Sequence, residues 1–232
     1  MYRAELYKLN KSGSYRLLIV LTAVVTLLLS IFKPYGSFEE LLHHLGNVSY
    51  YFILYLSTRI AVSDRIMRTL SNMIASGMRR STIYYSKMRV AISAAIVLSA
   101  IDIAVRIVTA LFYHNFMIDI GVPVLVMNII FHLLLAIMGA ILYFAIGVFI
   151  GSPIWAIMIS VLYMNTAPSI LSLISKTLAL PIDLGDFTLT RISTFTVQAG
   201  MPTSQIIAIV CTFVIVIIAS ILAQVLTSGR EV

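Results

Sequence analysis

Six apolar runs, at about 17–32, 48–62, 90–113, 123–150, 154–174 and 204–226, constrain this chain more than any other feature. Backbone N–H and C=O groups in hydrocarbon must be satisfied internally, so such runs fold as helices, and roughly 20 residues at 1.5 Å each cross a core about 30 Å thick. The composition agrees: 60% of residues are hydrophobic and 11% charged, against about 45–50% and 25% in ordinary soluble domains. The sequence therefore predicts an all-α integral membrane protein with six transmembrane helices, in which residues 1–232 form one membrane domain with no room for a second, soluble one.

The Lys and Arg residues set the orientation. Twelve of the sixteen fall on the side of the N-terminus, three (Lys33, Lys176 and Arg191) fall on the other, and Arg106 lies within a run. Cytosolic loops carry the excess of cations, so both termini are expected in the cytosol of a multi-pass cell-membrane protein. Tyr50, Tyr51 and Tyr113 at outer ends and Tyr15, Tyr84, Tyr85 and Trp155 at inner ends fit interfacial aromatic belts. The net charge of +7 is a topology signal on this reading, and no nucleic-acid partner is expected. Cys211 is the single cysteine and lies in the last run, which excludes an intramolecular disulfide and a cysteine metal site.

Residues 1–14 have their own pattern. Tyr2, Leu6 and Leu9 recur at i, i+4 and i+7, while Arg3, Glu5, Lys8 and Lys11 take the other face, and Ser12-Gly13-Ser14 breaks it. This predicts an interfacial helix on the inner leaflet; a basic topology signal that happens to be helical fits the same residues. The outer segment 176–203 mixes Leu178, Leu180, Ile182, Phe187, Leu189, Ile192 and Phe195 with polar residues, a pattern for short helices dipping back into the interface.

Residues 64–89 form a basic cytosolic handle. Arg65, Arg68, Arg79, Arg80, Lys87 and Arg89 stand against the single acid Asp64 and alternate with Ile66, Met67, Leu70, Met73, Ile74 and Ile83. A solvated loop would not need those apolar residues, so an amphipathic helical hairpin that grips a cytosolic partner is expected, turning at Ser76-Gly77 and restarting with Ser81 as N-cap.

The same residues carry a resemblance. Asp64, the Thr69-Leu70 pair five residues on, Arg79 or Arg80, Ile83 and Ser86-Lys87 are similar in order and spacing to the second cytosolic segment of ABC-transporter permeases of the short drug- and bacteriocin-export branch. The chain departs from that pattern at Arg68, where the family usually has Gly. The resemblance implies a coupling helix that docks on a separate cytosolic ABC ATPase subunit, where ATP-Mg would bind, through Met73, Ile74, Gly77, Arg79, Arg80, Ile83 and Tyr84. It also implies a second permease, identical or related, a bacterial plasma membrane, and export of a hydrophobic or amphipathic substrate such as an antimicrobial or toxin peptide or a drug. The chain has no Gly-x-x-x-x-Gly-Lys-Ser/Thr phosphate loop of its own, so it is read as a non-enzyme that binds no cofactor directly. Two other readings stand beside it: the substrate-binding membrane subunit of a vitamin importer, which would couple through small-residue faces, and an ATP-independent carrier or channel.

Charges inside the runs mark the candidate path. Asp102 and Arg106 lie i, i+4 in the third run, about 17 and 10 Å from its outer end, and Asn128 and His132 in the fourth reach about 8 and 13 Å. Residues of this kind face a bundle interior or a wet cavity, so the four are expected in one polar cluster, either a structural lock or part of the substrate path. Asn165, three residues before Pro168, is a further candidate in the fifth run. Ala91, Ala95 and Ser99 share a stripe with Asp102 and Arg106, and Gly147-x-x-x-Gly151 supplies a second small-residue face. His43-His44 with Glu39 and Glu40 fit a surface helix as well as a metal site, and no metal is expected.

Overall fold

Helix formation follows the apolar runs closely, because lipid leaves the backbone no other partner. The computed structural model describes residues 1–32, 44, 47–66, 73–113, 122–195 and 203–229, and every regular element among them is helical. The helices are α1 (Tyr2–Lys11), α2 (Gly13–Phe32), α3 (Asn47–Ile66), α4 (Arg80–Tyr113), α5 (Val122–Ile150), α6 (Pro153–Thr177), the single turn α7 (Leu189–Ile192) and α8 (Thr203–Gly229), with a 3-10 turn at Leu184–Phe187. Five of them, α2, α4, α5, α6 and α8, are long and apolar enough to cross a membrane. The chain is an all-α, multi-pass membrane protein.

The second predicted span, α3, is 20 residues long, about 30 Å, but it is less apolar than the other five. Its position accounts for that. It packs against α2, α4, α5 and α6, and Ser49, Ser57 and Thr58 are buried along with Ile53, Leu54, Leu56 and Val62. A helix enclosed by other helices need not be greasy on every side.

The centre of the bundle is α3, α4 and α5. Lipid tails are as apolar as leucine, so contact here rests on close van der Waals approach between small residues rather than on escape from water. Ala91, Ala95, Ser99, Asp102 and Arg106 of α4 are all buried, so the stripe seen in the sequence faces inward within one chain. Gly147 lets α5 approach the α3 backbone: a Cβ there would lie 2.7 Å from Ala61 Cβ and 3.1 Å from the Thr58 carbonyl oxygen. Gly151 does different work from the one its spacing suggested. It sits at φ +72° with its N–H on the Gly147 carbonyl (2.9 Å), ending α5 so that Ser152 and Pro153 can start α6.

Pairs of contacts fix the register. Lys87 reaches Ser63 while Asp102 lies beside the Ser49 backbone, so α3 and α4 run antiparallel over the same depth. Tyr84 Oη donates to the Ser220 carbonyl at 2.9 Å, and Tyr85 Oη to Gln224 at 2.6 Å, bringing the last turns of α8 beside the first turns of α4. At the other end, Thr190 Oγ1 donates to the Met164 carbonyl at 2.9 Å. That carbonyl is the one Pro168 cannot bond, four residues later in α6. The segment after α6 is thus tied to the helix at its proline, and Leu189, Ile192 and Phe195 are buried in the core.

Candidate functional site

The residues singled out in the sequence fall mainly in two places: a buried polar layer inside the bundle, and the exposed turn from which α4 rises.

The layer is built on α4. Asp102 and Arg106 are 0% and 3% exposed, and Arg106 Nε donates to Asp102 Oδ1 at 3.3 Å. Four residues is one helical turn, so the two groups share a face and pair within the helix. The second donor to the same oxygen is Thr26 Oγ1 of α2, at 2.5 Å. A pair buried among helices is held by such added donors, because Coulomb attraction alone rarely repays desolvation. Asn128 and His132 of α5 are also fully buried. Asn128 Nδ2 donates to the Val124 carbonyl of its own helix at 2.8 Å, and the His132 ring lies edge-on to Phe131 at 5.7 Å between centroids.

Asn165 stands apart from the layer. It is exposed on α6, its amide donating to the Val161 carbonyl and its oxygen accepting from Tyr51 Oη at 3.4 Å. Its side of α6 is not the side that meets the core. The partner the sequence reading missed is Thr26. Thr22, Thr26 and Ser30 recur every four residues and are all fully buried, so one stripe of hydroxyls on an otherwise apolar helix is the signal that pointed there. Beside this layer, a shallow apolar groove of about 350 Å³ opens between α2 and α4, walled by Val24, Leu27, Val105 and Val108.

The exposed turn is tightly specified. Gly77, at φ +84°, places its N–H on the Ile74 carbonyl (2.9 Å), and Met78 N–H reaches the Met73 carbonyl (3.1 Å). These two bonds end the short helical stretch in the glycine C-cap pattern. Met78 and Arg79 project as exposed residues, Met73 and Ile74 are half-buried, and Arg80 gives a 3.5 Å hydrogen bond to the Thr227 carbonyl.

Two expectations for this region need correction. Ser81 is not the N-cap: α4 begins at Arg80, and the Arg79 carbonyl takes the first N–H groups, those of Thr82 and Ile83. The helix that restarts after the turn leads straight into the third run, α4 continuing unbroken for 34 residues, about 51 Å. Ile83 and Tyr84, at 3% and 4% exposure, are core residues, Tyr84 packing edge-on against Phe144 at 5.3 Å. Neither is available to a cytosolic partner. Lys87 is likewise buried and donates to Ser63 Oγ at 2.8 Å, pinning the end of α3 to α4. Residues 67–72, with Arg68, lie outside the described residues, as do the side chains of Asp64 and Arg65 and the residues Glu39, Glu40 and His43. Among the described residues no group of three or more His, Cys, Asp or Glu could hold a metal ion.

No known protein-family model matches this sequence, and no characterised protein matches it.

Proposed function

We propose that this chain is the membrane-spanning permease subunit of an ATP-driven exporter, with six membrane crossings, both termini in the cytosol, and a separate ABC ATPase as its engine. The observation that carries the reading is the continuity of α4. One helix joins the exposed Met78-Arg79 turn to the buried Asp102–Arg106 pair, without a proline or other break between them. A docked partner that displaces the turn must therefore move the polar layer, which is what coupling requires. Contact with the ATPase falls to Met78 and Arg79, with Met73, Ile74, Gly77 and Arg80 beside them, and not to the inward-facing Ile83 and Tyr84. The apolar groove between α2 and α4 backs onto the layer and suits a hydrophobic or amphipathic substrate, such as a peptide taken from the leaflet. A second permease, identical or related, completes the assembly.

Co-expression with a bacterial ABC ATPase encoded beside this chain, followed by affinity capture in detergent, tests the proposal. The wild type recruits the ATPase, and Arg79→Glu recovers roughly a tenth as much, the cost of one reversed interface charge. Ile83→Val leaves recruitment unchanged. Failure of the wild type to recruit the ATPase ends the reading.

A further inference from the structure

A cavity of about 200 Å³ lies where α1, the start of α2, the end of α3 and the start of α4 meet. Its polar lining carries Lys8 and Arg59 with the hydroxyls of Ser12, Ser14 and Ser63, and among the described residues its acid is Glu5, which Lys8 engages at 3.0 Å. Behind Ser63, the buried Lys87 Nζ donates to that hydroxyl at 2.8 Å, tying this wall to α4. Arg59 is held along α3 by Tyr55, with the guanidinium 6.0 Å from the ring centroid and 3.2 Å from Oη. That single bond leaves most of a five-donor fork directed elsewhere. The rest of the lining is aliphatic, formed by Leu9, Leu56, Ile60 and Val90.

We infer that this cavity is a site for the phosphodiester headgroup of an anionic phospholipid from the leaflet on the α1 side. The volume is several times that of a water molecule, about 30 Å³, and the chemistry is divided as a lipid is: cations and hydroxyls for the phosphate, aliphatic walls for the first carbons of the tails. Basic pockets between membrane helices bind such headgroups, and an arginine fork matches two phosphate oxygens. The position fits too. The cavity lies at the end of the bundle where α2 and α4 begin and α3 ends, and α1 closes it, held by Tyr2 Oη at 2.8 Å from Ser93 Oγ of α4. α1 presents Tyr2, Leu6 and Leu9 as its less exposed face, as an interfacial helix does. A bound headgroup joins α1, α3 and, through Ser63 and Lys87, α4. The inference holds or fails independently of any transport role.

The test uses the full-length protein in neutral detergent, titrated with dioleoyl-phosphatidylglycerol, with dioleoyl-phosphatidylcholine and, separately, with inorganic phosphate, and read by native mass spectrometry and thermal unfolding. Phosphatidylglycerol binds and raises the unfolding temperature, and phosphatidylcholine does so far less. Lys8→Gln and Arg59→Gln each lower phosphatidylglycerol affinity roughly fivefold, about the effect of one cation near an anionic surface. Arg59→Lys keeps the charge and recovers part of the loss. Arg89→Gln removes an exposed cation of α4 that does not line the cavity and leaves affinity unchanged. Equal affinity in wild type, Lys8→Gln and Arg59→Gln overturns the site, and full protection by inorganic phosphate alone overturns the lipid in favour of a soluble phosphate compound.

Discussion

Replacing Gly147 by alanine is the sharpest probe of how the bundle is assembled. The added methyl would lie 2.7 Å from Ala61 Cβ, 3.1 Å from the Thr58 carbonyl oxygen and 3.2 Å from Thr58 Cα. Carbon atoms rest at about 3.5–4.0 Å, so α5 and α3 must part by about 1 Å. Overpacking of this kind costs about 1–3 kcal/mol. Alanine's better helix propensity returns at most about 1 kcal/mol, so a clash in the upper part of that range leaves a net loss on the order of 1–2 kcal/mol. Two of the three contacts are backbone atoms of α3, which cannot rotate away as a side chain would. The assay is reversible unfolding of the purified protein in mixed micelles as sodium dodecyl sulfate is titrated, followed by circular dichroism. Gly147→Leu, which adds four carbons at the same point, is expected to yield little folded protein. Ala61→Gly removes the shortest contact, so the double variant Gly147→Ala/Ala61→Gly recovers part of the loss while the Thr58 backbone still obstructs. Stability of Gly147→Ala equal to wild type, or strictly additive effects in the double variant, would refute a close approach at this point.

Three further predictions concern the polar layer and the segment after α6. Thr26→Val keeps the side-chain shape but removes a donor from Asp102. It is expected to cost about 0.5–1.5 kcal/mol, near the range of hydrogen bonds between membrane helices, and to cost less in an Asp102→Asn background; equal cost in both backgrounds would disconnect Thr26 from the pair. If the transporter reading holds, Asp102→Asn lowers transport in vesicles more than it lowers folded yield, whereas matched losses would make the pair a structural lock. Asp183 accepts bonds from Ser172 Oγ at 2.7 and 2.8 Å and from the Gly185 N–H at 2.8 Å. The Ser172 hydroxyl first, and the Gly185 amide second, hold its carboxyl below the usual carboxylate value. A lowered folded value means that the stabilisation is complete above the unfolded value of about 3.9 and fades as pH falls through the folded one. Hydrogen exchange at Leu184 and Gly185, corrected for intrinsic rate, should therefore be flat from neutral pH to about 5 and rise only below about 4, while Asp183→Asn exchanges faster throughout; acid-insensitive protection would contradict the cap.

The bundle was largely legible because hydrocarbon dictates helices. Five of the six apolar runs end within three or four residues of the helices they predicted. The exception is the start of α4, where hydropathy marks the depth of the bilayer and not the end of a helix. Arg80, Lys87 and Arg89 keep residues 80–89 out of the apolar run, yet the helix continues through them. Amphipathicity misled for a related reason. Ile83 and Tyr84 looked like a surface kept for a partner, but the last turns of α8 and Phe144 of α5 cover Tyr84 within the chain. The shared face of Asp102 and Arg106 followed from their i, i+4 spacing, while Thr26 could not be singled out. Thr22, one turn earlier, satisfies its hydroxyl on the Leu18 carbonyl at 2.7 Å, and nothing local to either threonine says which one reaches across.

Helix α4 can also be viewed as a lever. From Arg79 to Asp102 is 23 residues by number, an arm of roughly 35 Å. Tilting that arm by about 5° shifts one end relative to the other by about 3 Å at this rise per residue. The Thr26–Asp102 bond is 2.5 Å long, so so slight a rotation is enough to part the donor from the carboxylate. The threonine then acts as one detent among several: with the Lys87–Ser63 and Tyr84–Ser220 bonds it holds the arm in one angular position.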